Sequence, residues 1–133
     1  MEDDCYYYYR WIHYLVNLMI AELEEKLGKK FVCDEELTRG AVEHCKAMIQ
    51  YGGCYQSPVS LRGSALAEAV DGIITFYQEQ FIEQAAKTMA RGLISSQEYC
   101  SDLRFYPVIG ANIAIKEIQS GEVAIYAAIR LKK

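Results

Sequence analysis

The stretch from Ala111 to Leu131 constrains the fold more than any other. Ala111, Ile113 and Ile115 alternate with Asn112, Ala114 and Lys116. After Gln119-Ser120-Gly121-Glu122, the residues Val123, Ile125, Ala127, Ile129 and Leu131 alternate with Ala124, Tyr126, Ala128 and Arg130. A period of two on either side of a glycine-containing turn predicts two strands joined as a hairpin. The second strand is apolar on both faces until Arg130, which predicts a central strand covered on both sides. Helical periodicity dominates the chain before this hairpin. The expected class is therefore α+β, a three-layer α-β-α sandwich with the C-terminal antiparallel hairpin in its central sheet.

From Trp11 onward, Ile12, Val16, Met19, Leu23 and Leu27 recur at spacings of three and four, with Leu15 and Ile20 widening the stripe. Gly28 is a helix stop. Tyr6 to Tyr9 precede this helix, and residues 1–10 read as a tyrosine-rich N-terminal extension with a possible role in self-association. Phe31-Val32-Cys33 is a short apolar run. Asp34 is placed to cap a second helix, with Glu35 and Glu36 in its first turn. Leu37, Ala41, Cys45, Met48 and Ile49 form its stripe, and Gly52-Gly53 ends it. His44 lies beside that stripe and reads as a satisfied packing residue. Residues 51–66 are loop-like, and a loop of that length is usually functional or tied down. An extended segment is expected near Glu68 to Ile74. Phe81, Ile82, Ala85, Met89 and Leu93 mark a third helix that Gly92 need not end. Ser95 or Ser96 can cap a short helix through Leu103.

A chain of 133 residues forms one domain, residues 1–133. The net charge of −4 and the scattered basic residues argue against nucleic acid as a partner. Lys29-Lys30 and Lys132-Lys133 read as solvated ends. No apolar run approaches the ~18 residues of a membrane span. Met1-Glu2-Asp3-Asp4 is acidic where a signal peptide would be basic, which fits a cytoplasmic chain or a mature region with an added Met. Five cysteines without a C-x-x-C pair, and only two histidines, disfavour a structural zinc site. Ser95, Ser96 and Cys100 are available nucleophiles, but His13 and His44 lie on structural helices, so no catalytic triad is supported. No cofactor is implied.

Several strings in order resemble one family, the CAP superfamily of cysteine-rich secretory, antigen 5 and pathogenesis-related-1 proteins, in its short bacterial form. The likeness runs from about Trp11 to Leu131. Phe31, Asp34 and Leu37 resemble the family's short apolar stretch and "D-x-x-L". Ala41 to Met48 resembles "A-x-x-H-A-x-x-M". Ala67-Glu68-Ala69-Val70 stands where the family has "G-E-N-I". Leu93 to Leu103 matches the spacing of "W-x-x-S-x-x-H-x-x-N-I-L", and Val108 to Ala114 resembles "x-I-G-V-G-V-A".

The resemblance implies a CAP-like sandwich whose central cleft holds a divalent metal on two histidines and acidic residues. Here Glu68 retains the acidic position, but Tyr99 stands at one histidine position, and the other falls near Tyr55 or Gln56. Ala69 and Leu93 replace the family asparagine and tryptophan. Zinc prefers nitrogen and sulfur ligands, so this cleft reads as a degenerate metal centre. Cys54 and Cys100 flank the two lost positions. They could form a disulfide or a thiolate metal site with Glu68, or be two unrelated thiols. The function expected is a non-enzymatic, extracellular binding module using the cleft residues Glu68, Tyr99, Tyr55, Gln56, Cys54 and Cys100. Its partner would be a protein, peptide or lipid. The alternative is a metal- or thiol-dependent hydrolase centred on Glu68, Cys54 and Cys100.

Overall fold

The computed structural model describes residues 2–133, with side chains from Arg10 onward. Four main helices are α1 (Glu2–Leu27), α2 (Glu35–Tyr51), α3 (Glu79–Ser95) and α4 (Gln97–Phe105). The strands are β1 (Val32–Cys33), β2 (Ala67–Phe76), β3 (Val108–Gln119) and β4 (Glu122–Lys132). The chain is an α-β-α sandwich on a mixed sheet of order β1-β3-β4-β2, with β1 parallel to β3 and the other neighbours antiparallel. The helix of α1 runs unbroken through the tyrosine run. The side chains of Tyr6 to Tyr9, and with them the self-association reading, lie outside the described residues.

The two-sided apolar pattern of β4 follows directly from this order. Val123, Ile125, Ala127, Ile129 and Leu131 enter the core under α1 and α3, packing with Leu15, Met19, Leu23, Ile82, Met89 and Leu93. Ala124, Tyr126 and Ala128 face α2, against Ala41, Cys45 and Met48. The strand expected near Glu68 to Ile74 is longer, Ala67–Phe76, because it pairs with β4 along its whole length.

Helix α2 starts as its sequence predicts. The Asp34 carboxylate accepts a hydrogen bond from the Leu37 N–H at 2.9 Å. Its helix ends with Gly52 in the left-handed conformation, φ 84°. Its first turn rests on β3 at Gly110. A Cβ built there would overlap the backbone of Leu37 and Thr38. The glycine after Ile109 is thus a contact point between layers.

Lys29 corrects a sequence expectation. It is not a solvated end. Its Nζ donates to the carbonyls of Leu103 at 3.0 Å, Arg104 at 3.0 Å and Tyr106 at 2.9 Å. The ammonium closes the C-terminus of α4, where unpaired carbonyls and the helix dipole favour a cation.

Candidate functional site

The register between β2 and β4 sets Glu68 directly opposite Arg130. Both side chains belong to the face under α2, among alanines, Val70 and Tyr126. Above them α2 presents Gly40 and His44, one helical turn apart. A Cβ at Gly40 would collide with the Arg130 guanidinium, whose Cζ would be 3.1 Å away. Glycine in mid-helix costs stability relative to alanine, by ~1 kcal/mol. Here its absent side chain is the space in which Arg130 lies.

Four groups converge on the Glu68 carboxylate, which is 2% exposed. Arg130 Nε donates to Oε2 at 2.9 Å, the Ser57 N–H donates to Oε1 at 2.6 Å, and the Ser57 hydroxyl donates to Oε2. His44 Nε2 stands 3.7 Å from Oε1. That same nitrogen is 2.6 Å from the Tyr55 carbonyl, which can only accept, so Nε2 carries the hydrogen. Arg130 also reaches the Ser57 hydroxyl at 3.1 Å and the Leu61 carbonyl at 3.4 Å. A buried carboxylate is tolerable only when paired and hydrogen-bonded in this way.

The network holds the 51–66 loop. Tyr55 is fixed through His44, Ser57 through Glu68, and Leu61 through Arg130. Arg62 Nε donates to the Ser57 carbonyl at 2.9 Å, and Gln56 Nε2 donates to the Glu68 carbonyl at 2.8 Å. The loop carries one short 3-10 turn, Val59–Leu61.

The expected cleft residues fall into separate roles. Glu68 is the hub. Tyr55 stacks edge-on against His44, with ring centroids 5.0 Å apart, and against Tyr51 at 5.1 Å. Gln56 caps the outer edge of β2. Tyr99 packs partly buried with the α1 and α3 core. Its hydroxyl meets the backbone N–H of Val70 on the β2 edge, and burial, then Glu98, hold its pKa above the ordinary value. Cys54 and Cys100 are both free thiols, so the disulfide reading is corrected. Among the described residues no three His, Cys, Asp or Glu side chains form a metal-binding group, which removes the thiolate metal site with Glu68. A cavity of about 150 Å³ lies elsewhere, where Ile12, His13, Val16, Cys33, Val42 and Ala111 meet at the β3 edge. None of the cleft residues lines it.

Sequence reasoning missed His44, Ser57 and Arg130 as partners of Glu68. The signal for Arg130 was present: one charge closing a strand otherwise apolar on both faces. Its partner required the strand register. Ser57 gave no signal.

This geometry commits the Glu68 carboxylate to the fold. Both oxygens of Glu68 accept hydrogen bonds, and the His44 N–H goes to the Tyr55 carbonyl, leaving Nε2 3.7 Å from Oε1. Zinc would have to displace Arg130. Calorimetric titration with zinc is therefore expected to reveal no sub-micromolar binding. Tight binding that disappears in Glu68→Ala would mean that Arg130 yields.

Two of the thiols are equally quiet. Burial, then the neighbouring Asp71, pushes Cys54 up to about 11, and burial pushes Cys45 up to about 12. Cys54 is exposed as a residue, but its sulfur lies against β2, 2.6 Å from where a Cβ on Gly72 would stand. Thiolate is the reactive form. At pH 8 iodoacetamide should modify Cys54 on the order of a hundredfold more slowly than an unperturbed thiol, given a rise of about two pH units. The rate should climb as pH approaches 11. Peptide mapping after timed alkylation measures this, and rapid labelling at neutral pH would reject the placement of that sulfur.

No protein-family model and no curated protein sequence matches the chain. Among solved structures it is similar to an outer surface protein from Borrelia burgdorferi, with a TM-score of 0.51 and 12% sequence identity over 93% of this chain and 94% of that one. No described helix is long and apolar enough to cross a membrane. At that identity the likeness establishes the shared α-β-α fold over nearly the full length of both chains.

Proposed function

We propose that the protein is a non-enzymatic binding module whose recognition element is the 51–66 loop. The observation that carries this reading is a loop held rigidly from below while presenting apolar side chains above. Tyr51, Val59 and Leu61 are 74%, 77% and 68% exposed, although the backbone between them is tied to Glu68, His44 and Arg130. Prior ordering of a loop lowers the entropic cost of binding, and exposed apolar side chains on such a loop suit a protein surface. Saturation of Glu68 and the suppressed Cys54 thiol favour binding over the hydrolase alternative.

The reading includes kinship with the CAP superfamily, supported by the motif spacing from Trp11 to Leu131, with its metal centre replaced by an Arg130–Glu68 pair. It also includes an extracellular location, which the description of the structural neighbour as an outer surface protein supports. Surface biotinylation of intact producing cells tests the location. For the loop, a photoreactive residue at position 59 or 61 should give one discrete protein adduct in those cells. The same residue at position 43, exposed on α2, should give none. Lipid adducts alone, or equal labelling from both places, would overturn the reading.

A further inference from the structure

The sheet has an outer strand, β2, whose edge is protected over only half its length. Tyr77 N–H donates to the Gly121 carbonyl at 2.9 Å, so odd-numbered residues of β2 bond to β4 and even-numbered ones turn their backbone groups outward. At the N-terminal half, Gln56 covers the Glu68 carbonyl and Tyr99 covers the Val70 N–H. At the C-terminal half, the Gly72 N–H is taken by the Asp71 carboxylate at 2.9 Å, and the Phe76 carbonyl by the Gln78 N–H at 2.8 Å. The Gly72 carbonyl, both backbone groups of Ile74 and the Phe76 N–H have no hydrogen-bond partner among the described residues.

That remaining set is self-complementary. We infer that two copies of the protein pair through this segment, antiparallel about a two-fold axis at Ile74, joining their four-stranded sheets into one. In that register the Ile74 N–H of each copy meets the Ile74 carbonyl of the other. Each Phe76 N–H meets the opposite Gly72 carbonyl. The Gly72 N–H and the Phe76 carbonyl, which this register sets opposite each other, are the two groups already satisfied internally. A two-fold contact of this kind closes on itself and does not propagate.

Side chains agree with the backbone. Residues 72–78, Gly-Ile-Ile-Thr-Phe-Tyr-Gln, carry no charge and no proline, the usual guards of an open edge. Ile74 is 65% and Phe76 57% exposed on the same face. Phe76 stacks on Phe81 of α3, itself part-exposed, with centroids 5.9 Å apart. Across the axis Phe76 falls opposite Gly72, the position with no side chain, and Ile74 meets Ile74. Asp71 falls opposite Tyr77, so no like charges meet.

Sedimentation equilibrium over a range of protein concentrations tests the pairing. A reversible monomer–dimer equilibrium is expected, lost in both Ile74→Lys and Phe76→Lys with unchanged thermal unfolding, since both side chains are exposed. Under mild oxidation Ile74→Cys should give a covalent dimer, because directly opposite residues in a hydrogen-bonded antiparallel pair lie ~5.5 Å apart at Cα, within disulfide reach. Phe76→Cys should not, because its counterpart is displaced along the strand. A monomer at all concentrations overturns the proposal. So does a dimer that survives both lysine variants, or one lost only when residues 1–9 are removed. Substitutions at Val59 and Leu61 leave this equilibrium unchanged, so the pairing and the loop reading fail independently.

Discussion

Replacing Arg130 by methionine is expected to destabilise the protein by about 3–5 kcal/mol, the usual cost of stranding one partner of a buried ion pair. The substitution leaves the Glu68 carboxylate under α2 with Ser57 and no guanidinium. Among the described residues no other lysine or arginine lies within ion-pair distance of Glu68, and His44 Nε2, 3.7 Å from Oε1, gives its hydrogen to the Tyr55 carbonyl. The Leu61 carbonyl and the Ser57 hydroxyl lose a donor as well, so the loop should open along with the drop in stability. Urea unfolding gives the first quantity, and hydrogen exchange of residues 55–62 gives the second. The double variant Glu68→Met with Arg130→Met should recover most of the loss, because apolar replacement of a buried pair is often close to neutral. The recovered protein should nevertheless keep a loosened loop. Stability restored together with full loop protection would show that the ion pair does not hold the loop. A single Arg130→Met variant as stable as the wild type would show that the pair is not buried.

The second large effect is expected at Gly110. Alanine there places a methyl group into the backbone of Leu37 and Thr38. A rotamer change cannot relieve a clash with main chain, so either α2 lifts from β3 or β3 bends. Overpacking of this kind costs about 3 kcal/mol. For a chain of 133 residues that corresponds to a fall in Tm of roughly 10 °C. Differential scanning calorimetry measures it. The Asp34 cap stands at the same helix end, so part of the loss should appear as fraying of the first turn of α2. A Tm within a degree or two of the wild type would mean that α2 does not rest on β3 at this point.

Much of the architecture was legible because it depends on local periodicity. The alternation in Ala111 to Leu131 announces a hairpin and an inner strand, and β4 does lie inside the sheet with α1 and α3 on one face and α2 on the other. Asp34 and Gly52 bound α2 through hydrogen bonds and backbone conformations that a few neighbouring residues determine. The candidate site was legible only at Glu68, which the resemblance of Ala67-Glu68-Ala69-Val70 to "G-E-N-I" singled out. Tyr99, Gln56 and Tyr55 were expected around a cleft. Tyr99 and Gln56 instead cap the edge of β2, and Tyr55 anchors the loop to His44. Edge capping leaves no pattern in the chain, since it depends on which strand ends up outermost.

The sequence by itself determined the layers and the two-sided burial of β4, because each rests on residue type and short-range spacing. The tertiary structure alone decided that Glu68 faces Arg130, that Gly40 is the space the guanidinium fills and that His44 and Ser57 complete the network. It also decided that Lys29 closes α4. Those contacts join residues from 11 to 90 positions apart, Tyr55 with His44 at the near end and Gly40 with Arg130 at the far one. They exist only once the strands have taken their register and α2 has settled onto the sheet, and no local periodicity encodes either event.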